Sequence, residues 1–450
     1  MYVWPTLFTA LGGFLWGFDT GSIGPTIVMA QFEKQFGSIS ATFQGLLVSS
    51  IIATAALSSV FSGTLSDRIS RTYTISLGAF VFSVGCAIAC SAKALPQLFI
   101  GRCVTGFGEG LFISSITVYV MEISPASKRG RTMTTVQLFN TVGVATGYFT
   151  CFGTINFPDS VSWRLPLALQ AVVAIVLAIG TPFFPHSPHW LRSVGRPCDA
   201  EAATVKFGLR VTEVRKEDEA IAGGPSAQVA KLTFVQQAKE LWAKDVRFRT
   251  FFALFLMGMQ QYAPVLFQQA GLSSVSASFL ASGVSGVIMV VLTAGSQIFQ
   301  DKWGRRTQMI GGGSVIAGCM LTMGGVYASN GAQTKAGKRT LIALIYIFIA
   351  AFISSWAVVI RCFSWAVNWI IAFSTPLFLT RSTSGPYFMF GTCALLTVLV
   401  CAAFQPETKG ISLDVLDQGF EETRLQSMAR KHFGSRFKTC QSTGIQLANL

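Results

Sequence analysis

Long uninterrupted apolar blocks limit what this chain can fold into. Each block has about 20 residues, the length that an α-helix needs to cross the hydrocarbon core of a bilayer. Charged residues make up only 12% of the 450 residues, about half the share usual in soluble proteins. We therefore predict an all-α polytopic membrane protein. The blocks lack the period-two alternation of a transmembrane β-barrel.

The blocks form two groups of six on either side of a polar stretch. We predict an N-terminal six-helix half at 1–185, a cytoplasmic linker with short amphipathic helices at 186–246, a C-terminal half at 247–405 and a cytoplasmic tail at 406–450. Boundaries predicted in this way are good to a few residues. The predicted spans lie near 5–25, 42–64, 73–92, 96–121, 132–153, 165–185, 248–270, 276–300, 307–328, 340–360, 363–380 and 386–405.

The formal net charge of +14 reflects where the basic residues lie. Most of the 34 Lys and Arg residues fall in loops on the same side as the linker and the tail. This bias follows the positive-inside rule and predicts that both termini are cytoplasmic. The same bias explains the positive net charge, so no nucleic-acid partner is expected. The expected partner of these basic residues is the lipid bilayer.

No pattern in the sequence predicts a metal, a cofactor or an enzyme active site. The ten cysteines lie mostly inside apolar blocks, where they behave as small hydrophobes. His186, His189 and His432 have no metal-ligand spacing. We found no nucleophile–base set or phosphate loop, so we expect a protein that is not an enzyme.

Two loops at matching positions in the halves resemble each other. Gly63–Arg71 follows the second span and Asp301–Arg306 follows the eighth, and each places an acid beside basic residues at a tight turn. A half-molecule repeat of this kind is typical of alternating-access transporters.

Four further motifs carry a family resemblance. They are Gly13–Gly21 in the first span, Tyr119–Arg131 after the fourth, Pro185–Leu191 after the sixth, and Pro406–Gly410 in the tail. In this order the chain resembles the sugar porter family of the major facilitator superfamily over nearly its whole length, and fungal hexose transporters in particular. The resemblance implies a major facilitator fold of twelve transmembrane helices in two six-helix halves.

Asp19 lies in the middle of an apolar span, and Arg102 is its one plausible partner within the membrane. A buried carboxylate costs several kcal/mol unless it is paired. The pair could be a static lock between two helices. The resemblance instead implies proton coupling, because in the family an acid at this position accompanies symport and an amide accompanies passive uniport. Burial and Arg102 would act on the Asp19 pKa in opposite directions, and the sequence does not decide between them.

Charged residues at the cytoplasmic ends of the spans have two interpretations. They could be ordinary positive-inside charge, or, as the resemblance implies, a salt-bridge gate that holds the outward-facing state. The candidate gate residues are Asp67, Arg68, Glu122, Arg129, Arg131, Asp301, Arg305 and Arg306.

Sugar recognition requires neutral donors and acceptors in a hydrated cavity, with an aromatic face against the ring. Inert packing is the alternative for each candidate, and for the tryptophans lipid contact is an equal one. The residues that match the family pattern are Gln137, Gln260, Gln261, Tyr262, Trp356, Asn368 and Trp369.

The chain departs from the family pattern at several places. Gln261 runs directly into Tyr262, so about two helical turns of the family's seventh span are missing. The turn after Ile360 is unusually short for two antiparallel helices, and Ser70 stands where the family has glycine. We interpret the two losses as exon loss or an error in the gene model.

These observations together predict a monosaccharide:proton symporter of the plasma membrane that works by alternating access as a monomer. Its partners would be a small-molecule sugar and protons. A non-transporting or defective relative and a passive hexose facilitator are the alternatives, the first because of the missing segments.

Overall fold

The computed structural model describes residues 2–37, 39–125, 128–212, 214, 286–296, 305–329, 331, 334–355, 382 and 384–404. All regular secondary structure in these ranges is helical. A short 3-10 helix, Thr181–Phe183, continues α8. The α-helices are α1 Val3–Thr9, α2 Leu11–Ile27, α3 Ala30–Phe36, α4 Ala41–Ile69, α5 Arg71–Cys90, α6 Leu95–Glu122, α7 Arg129–Thr154, α8 Val161–Gly180, α9 Pro188–Ser193, α10 Pro197–Phe207, α11 Gly286–Ser296, α12 Arg305–Ala328, α13 Lys335–Ser354 and α14 Gly385–Phe404.

Every apolar block predicted in the first half is helical. The block near 5–25 is divided at Ala10 into α1 and α2, and the next five correspond to α4 through α8. Local signals set several ends: the Ser40 hydroxyl accepts a hydrogen bond from the Phe43 amide at the start of α4, and Pro96 lies in the first turn of α6. Helices α9 and α10 occupy the start of the predicted linker, and the segment Thr233–Arg249 lies outside the described residues.

The helices present apolar surface outward, as a bilayer requires. Along α8, Val172, Ile175, Val176 and Ile179 are 59%, 45%, 49% and 62% exposed. Their spacing places them on one face, and such a stripe is unsuited to water. Within the described residues, six helices are long and apolar enough to span a membrane: Phe43–Ile69, Arg71–Cys90, Leu95–Glu122, Val161–Phe183, Arg306–Ala328 and Gly385–Ala403.

Glycine allows α2 and α7 to pack with their backbones in contact. A Cβ atom at Gly17 would collide with the carbonyl oxygen of Asn140, and one at Gly143 would collide with that of Phe14. Small residues at such crossings let membrane helices gain van der Waals contact where no hydrophobic effect draws them together. The α2–α7 crossing therefore fixes the relative height of these two helices.

Three apolar clusters hold the described helices together, two in the first half and one in the second. In the first half, α5 and α6 meet through Phe82 and Phe112, whose rings lie 5.5 Å apart edge to face. In the second half, α12 packs against α13 and α14, with Tyr327 and Tyr387 stacked at 4.9 Å.

Ser70 joins α4 to α5 with an unusual backbone. Its φ of 99° and ψ of 152° lie in a region that is open almost only to glycine. The buried Ser70 hydroxyl lies 2.8 Å from Nδ1 of His186, and the Thr72 hydroxyl lies 2.9 Å from the same atom. Burial, aided by the charge of Arg196, lowers the pKa of His186 and favours the neutral ring, whose Nδ1 can accept from these hydroxyls. The serine that replaces the family's glycine is thus tied to the segment after α8.

We expect Gly17→Ala to destabilise the protein by about 1–3 kcal/mol, because the methyl group overpacks the α2–α7 crossing. Gly24→Ala is the matched control on the same helix, since a Cβ there meets nothing within 4 Å. It should be neutral or stabilising by about 0.5–1 kcal/mol. Apparent thermal unfolding in detergent measures both variants, and equal midpoints would contradict the packing argument.

Two substitutions at Ser70 separate backbone strain from hydrogen bonding. Ser70→Ala and Ser70→Gly both remove the hydroxyl, but only glycine adopts the observed backbone without strain. Strain of this kind costs about 1–3 kcal/mol, so the alanine variant should unfold at the lower temperature. An alanine variant as stable as the glycine variant would show that the position is unstrained.

Candidate functional site

Asp19 and Arg102 form an ion pair inside the helical bundle. Nη1 of Arg102 donates to Oδ1 of Asp19 at 2.7 Å, and Nη2 donates to Oδ2 at 3.2 Å. The two side chains are 5% and 2% exposed. Arg102 also donates through Nε to the carbonyl oxygen of Leu47 on α4, at 3.4 Å. The predicted partners therefore meet in a bidentate geometry that matches the guanidinium fork to the carboxylate.

A chain of buried polar groups continues from Asp19 to α8 and α5. The Ser22 hydroxyl donates to the Asp19 carbonyl oxygen at 3.3 Å, and Nε2 of Gln170 donates to the Ser22 hydroxyl at 3.1 Å. The thiol of Cys86 lies 3.9 Å from Oε1 of Gln170. Gln170 is absent from the residues that the sequence predicted, although an amide within an apolar span was a signal available there.

Glu109 is a second buried acid that the sequence prediction omitted. It is 1% exposed, and its Oε2 atom has no hydrogen-bond partner among the described residues. It lies seven residues after Arg102 on α6, and therefore on nearly the same helical face. The rule that identified Asp19, an ionisable residue inside an apolar span, applies equally to Glu109.

Gln137 lies on α7 near the α2–α7 crossing. It is 8% exposed, and no described residue lies within hydrogen-bond distance of its Oε1 atom. Asn140, one turn further along, donates to the carbonyl oxygen of Gly13 at 3.4 Å. A buried amide oxygen without a partner costs free energy, and the hydroxyl of a ligand is one group that could satisfy it.

An open cleft of about 460 Å³ lies between α7 and α11. Its lining is mostly apolar and does not include Gln137. The lining residues are Val142, Ala145, Thr146, Phe149, Thr150 and Val290.

Arg71 connects the charged residues at the predicted cytoplasmic end. Its Nη2 and Nε atoms donate to the two carboxylate oxygens of Glu122 at 3.1 and 3.2 Å, and its Nη1 atom donates to Asp67. The side chains of Arg71 and Glu122 are 12% and 16% exposed, whereas that of Asp67 is 71% exposed. The structure thus joins two of the predicted gate acids through an arginine that the prediction had left out of the gate.

The other predicted gate residues are placed separately. Arg68 and Arg131 are exposed, and Nε of Arg129 donates to the carbonyl oxygen of Met121 at 3.2 Å. Arg306 donates to the carbonyl oxygen of Ala402, which ties the start of α12 to the end of α14. Asp301 and the side chain of Arg305 lie outside the described part of the chain.

Six of the seven predicted sugar-binding residues also lie outside it, as do both predicted losses. In the described ranges, no group of three or more His, Cys, Asp or Glu residues is arranged to hold a metal ion. The six residues are Gln260, Gln261, Tyr262, Trp356, Asn368 and Trp369.

Comparison with known proteins places these features in a family. The family model described as "Sugar (and other) transporter" matches residues 6–364 and 358–420. A low-affinity glucose transporter of Saccharomyces cerevisiae is 28% identical, with 92% of this chain and 80% of that protein covered. A high-affinity glucose transporter of Schizosaccharomyces pombe is 26% identical, with 92% and 86% covered.

Solved structures show the fold. The proton:xylose symporter XylE, solved with 6-bromo-6-deoxy-D-glucose, aligns with a TM-score of 0.80 at 21% identity and covers 93% of this chain and 98% of its own. The major facilitator transporter FucP aligns with a TM-score of 0.60 at 13% identity, with 89% and 98% covered. The predicted all-α major facilitator fold and the predicted family resemblance are thereby confirmed.

Glu122→Gln and Asp67→Asn compare the two acids that share Arg71. Glu122→Gln removes the mostly buried, bidentate partner and should destabilise the protein by about 1.5–3 kcal/mol, the range for hydrogen bonds to charged groups. Losing the exposed partner should cost about 0–1 kcal/mol. Apparent thermal unfolding in detergent measures the order, and an Asp67 variant that is the less stable of the two would contradict it.

Proposed function

This chain belongs to the sugar transporter family, and we propose that it carries a monosaccharide across the plasma membrane together with a proton. The family is one of transporters, and the chain is an integral membrane protein. We propose further that it acts as a monomer with both termini in the cytosol, as the positive-inside bias indicates. The observation that carries proton coupling is the buried ion pair between Asp19 and Arg102.

The ion pair can serve as a proton switch because each charge depends on the other. Removing one partner of a buried pair costs about 3–5 kcal/mol, since the remaining charge is left uncompensated. Protonation of Asp19 has the same electrostatic effect on Arg102 and leaves the arginine to find new partners. A proton therefore changes which arrangement of α2 and α6 is favoured, and a ligand or ion can shift an equilibrium only through such a difference between states.

Packing gives this switch a route to the candidate sugar site. Asp19 lies on α2, and the same helix packs through Gly13 and Gly17 on the backbone of Val136 and Asn140. Gln137 lies between these two α7 residues in the sequence. A displacement of α2 is therefore passed to the part of α7 that carries Gln137, whose Oε1 atom has no partner among the described residues. Protein interiors are close-packed, so this contact transmits movement instead of absorbing it.

Two features support a monosaccharide as the substrate. The relatives are glucose transporters by name, and Gln137 offers a neutral acceptor of the kind that a sugar hydroxyl needs. A passive facilitator is the weaker alternative because the family resemblance associates an acid at the position of Asp19 with symport. In a uniporter the pair would serve only as a static lock between two helices. A relative that does not transport is the other alternative, and the segments absent from the sequence favour it.

Uptake of labelled hexose in a host that lacks its own hexose transporters tests the proposal. We expect the native protein to accumulate sugar, and to alkalinise the medium when sugar is added. Uptake without proton movement would indicate uniport, and absence of uptake with normal surface expression would indicate the non-transporting alternative.

Asp19→Asn tests the switch itself. The amide cannot take up a proton, so we expect sugar-induced alkalinisation to disappear and uptake to become independent of external pH. Thr20→Ala is the matched control because the next residue on α2 is exposed, and this variant should behave as the native protein does. An Asn variant that still moved protons with sugar would exclude Asp19 as the coupling acid.

A further inference from the structure

Glu109 is a buried titratable group that the Asp19–Arg102 switch does not use. It is 1% exposed, with Oε2 unpartnered among the described residues. The neighbouring glycines enclose it: a Cβ at Gly108 would collide with the Phe82 backbone amide on α5, and one at Gly110 with the Ala55 carbonyl oxygen on α4. Helix backbones thus press on α6 immediately before and after the acid.

The charges that act on Glu109 can be named. Asp19 on α2 and Arg102 on α6 interact electrostatically with Glu109. All three charged groups also interact with the thiol of Cys86 on α5. Among the described residues of the other helices packed against α6, the charged groups on α4, α5 and α7 lie at the predicted cytoplasmic end, at Asp67, Arg68, Arg71, Arg129 and Arg131. Helix α1 has no charged residue.

The net charge of Asp19, Glu109 and Arg102 limits how many protons this cluster of three residues can hold. Two carboxylates and one guanidinium would leave one net negative charge in a low-dielectric site, which is strongly unfavourable. One proton shared between the two acids makes the cluster neutral. Two protons would leave Arg102 as an unpaired cation, which is unfavourable for the same reason.

We propose that Asp19 and Glu109 share a single proton around Arg102, and that Glu109 is the second proton-binding residue of the coupling site. This inference rests on the proposed symport. While Asp19 is ionised and paired with Arg102, the proton resides on Glu109. When Asp19 takes up a proton from the outer side, an O–H bond forms there and Arg102 is released. In the same step Glu109 loses its proton to water of the inner pathway and becomes the counter-ion of Arg102, and later passage of the proton from Asp19 to Glu109 restores the first state.

The position of Glu109 gives the exchange a direction. Seven residues of helix correspond to about 10.5 Å along the axis, and Glu109 is displaced from Arg102 toward the Glu122 end of α6. The proton that leaves is therefore closer to the predicted cytoplasmic side than the proton that enters. The cluster remains neutral at both stages, so the exchange avoids the cost of an isolated buried charge.

Infrared spectroscopy of the purified protein at neutral pH tests the shared proton without any transport assay. We expect the native protein to show the carbonyl band of a protonated carboxylic acid that Glu109→Gln removes. Asp19→Asn should remove the same band, because the neutral amide mimics a protonated Asp19 and drives Glu109 to ionise. Glu33→Gln, a carboxyl-to-amide change at an exposed residue on α3, should leave the band in place.

Two spectroscopic results would overturn the inference. A band that Glu109→Gln removes but Asp19→Asn retains would make Glu109 a permanently neutral acid with a packing role. A native spectrum with no band attributable to Glu109 would show that it does not hold the proton.

Transport measurements then separate this inference from the proposed function. If the native protein moves no protons with sugar, symport itself is rejected, whatever the spectra show. If it does, Glu109→Gln should need at least a ten-fold higher proton concentration for half-maximal uptake, a shift of about one pH unit to the acid side. That shift corresponds to about 1.4 kcal/mol less favourable protonation of Asp19, because no acid remains to neutralise Arg102. An unchanged pH profile in a symporting background would overturn the role of Glu109 and leave symport intact.

Discussion

The electrostatics of a few charges buried within lipid-facing helices govern this structure. Arg102 is 2% exposed, and it is held by both carboxylate oxygens of Asp19. The cost of an unpaired charge there is several kcal/mol, comparable with the net stability of a typical domain. The protonation state of Asp19 therefore cannot change without a response from its surroundings, and this is the property that a proton-driven transporter needs.

Contacts elsewhere in the first half can convert a change at the buried pair into movement of whole helices. Glycines let α2 and α7 touch through their backbones, and the polar chain from Ser22 to Gln170 links α2 to α8. At the other end, Arg71 joins the ends of α4 and α6, while His186 joins the α4–α5 turn to the segment after α8. Polar contacts thus hold the helix ends, and in the middle the buried pair and the Ser22–Gln170 link act together with close packing of the helices. A change at the buried pair can move helices as units because their ends are tied.

Prediction from sequence was most successful where a property is local. The blocks near 96–121 and 132–153 became α6 and α7 because apolar length alone sets a span. The sequence predicted that Asp19 pairs with Arg102 because each is a charged residue inside an apolar block. Glu109 is likewise a charged residue inside an apolar block, but it was not among the predicted site residues. The signal for it was therefore present in the sequence. By contrast, nothing in Gly63–Arg71 distinguishes Arg68 from Arg71 as the partner of Glu122, since both are arginines in one turn.

The sequence by itself determined that this protein lies in lipid and how long its spans are, because composition and the length of apolar blocks report burial in lipid directly. Its motifs, and not its composition, carried the resemblance to the family and to the acid on which coupling is proposed to depend. Only the tertiary structure decided which charges meet. It selected Arg71 for Glu122, gave Ser70 a histidine partner 116 residues away, and left Glu109 and Gln137 buried, each with one oxygen that has no partner in the described part of the chain. These outcomes depend on the height and rotation at which helices pack, and contacts between helices that are distant in sequence, such as the glycine contacts of α2 with α7, contribute to both.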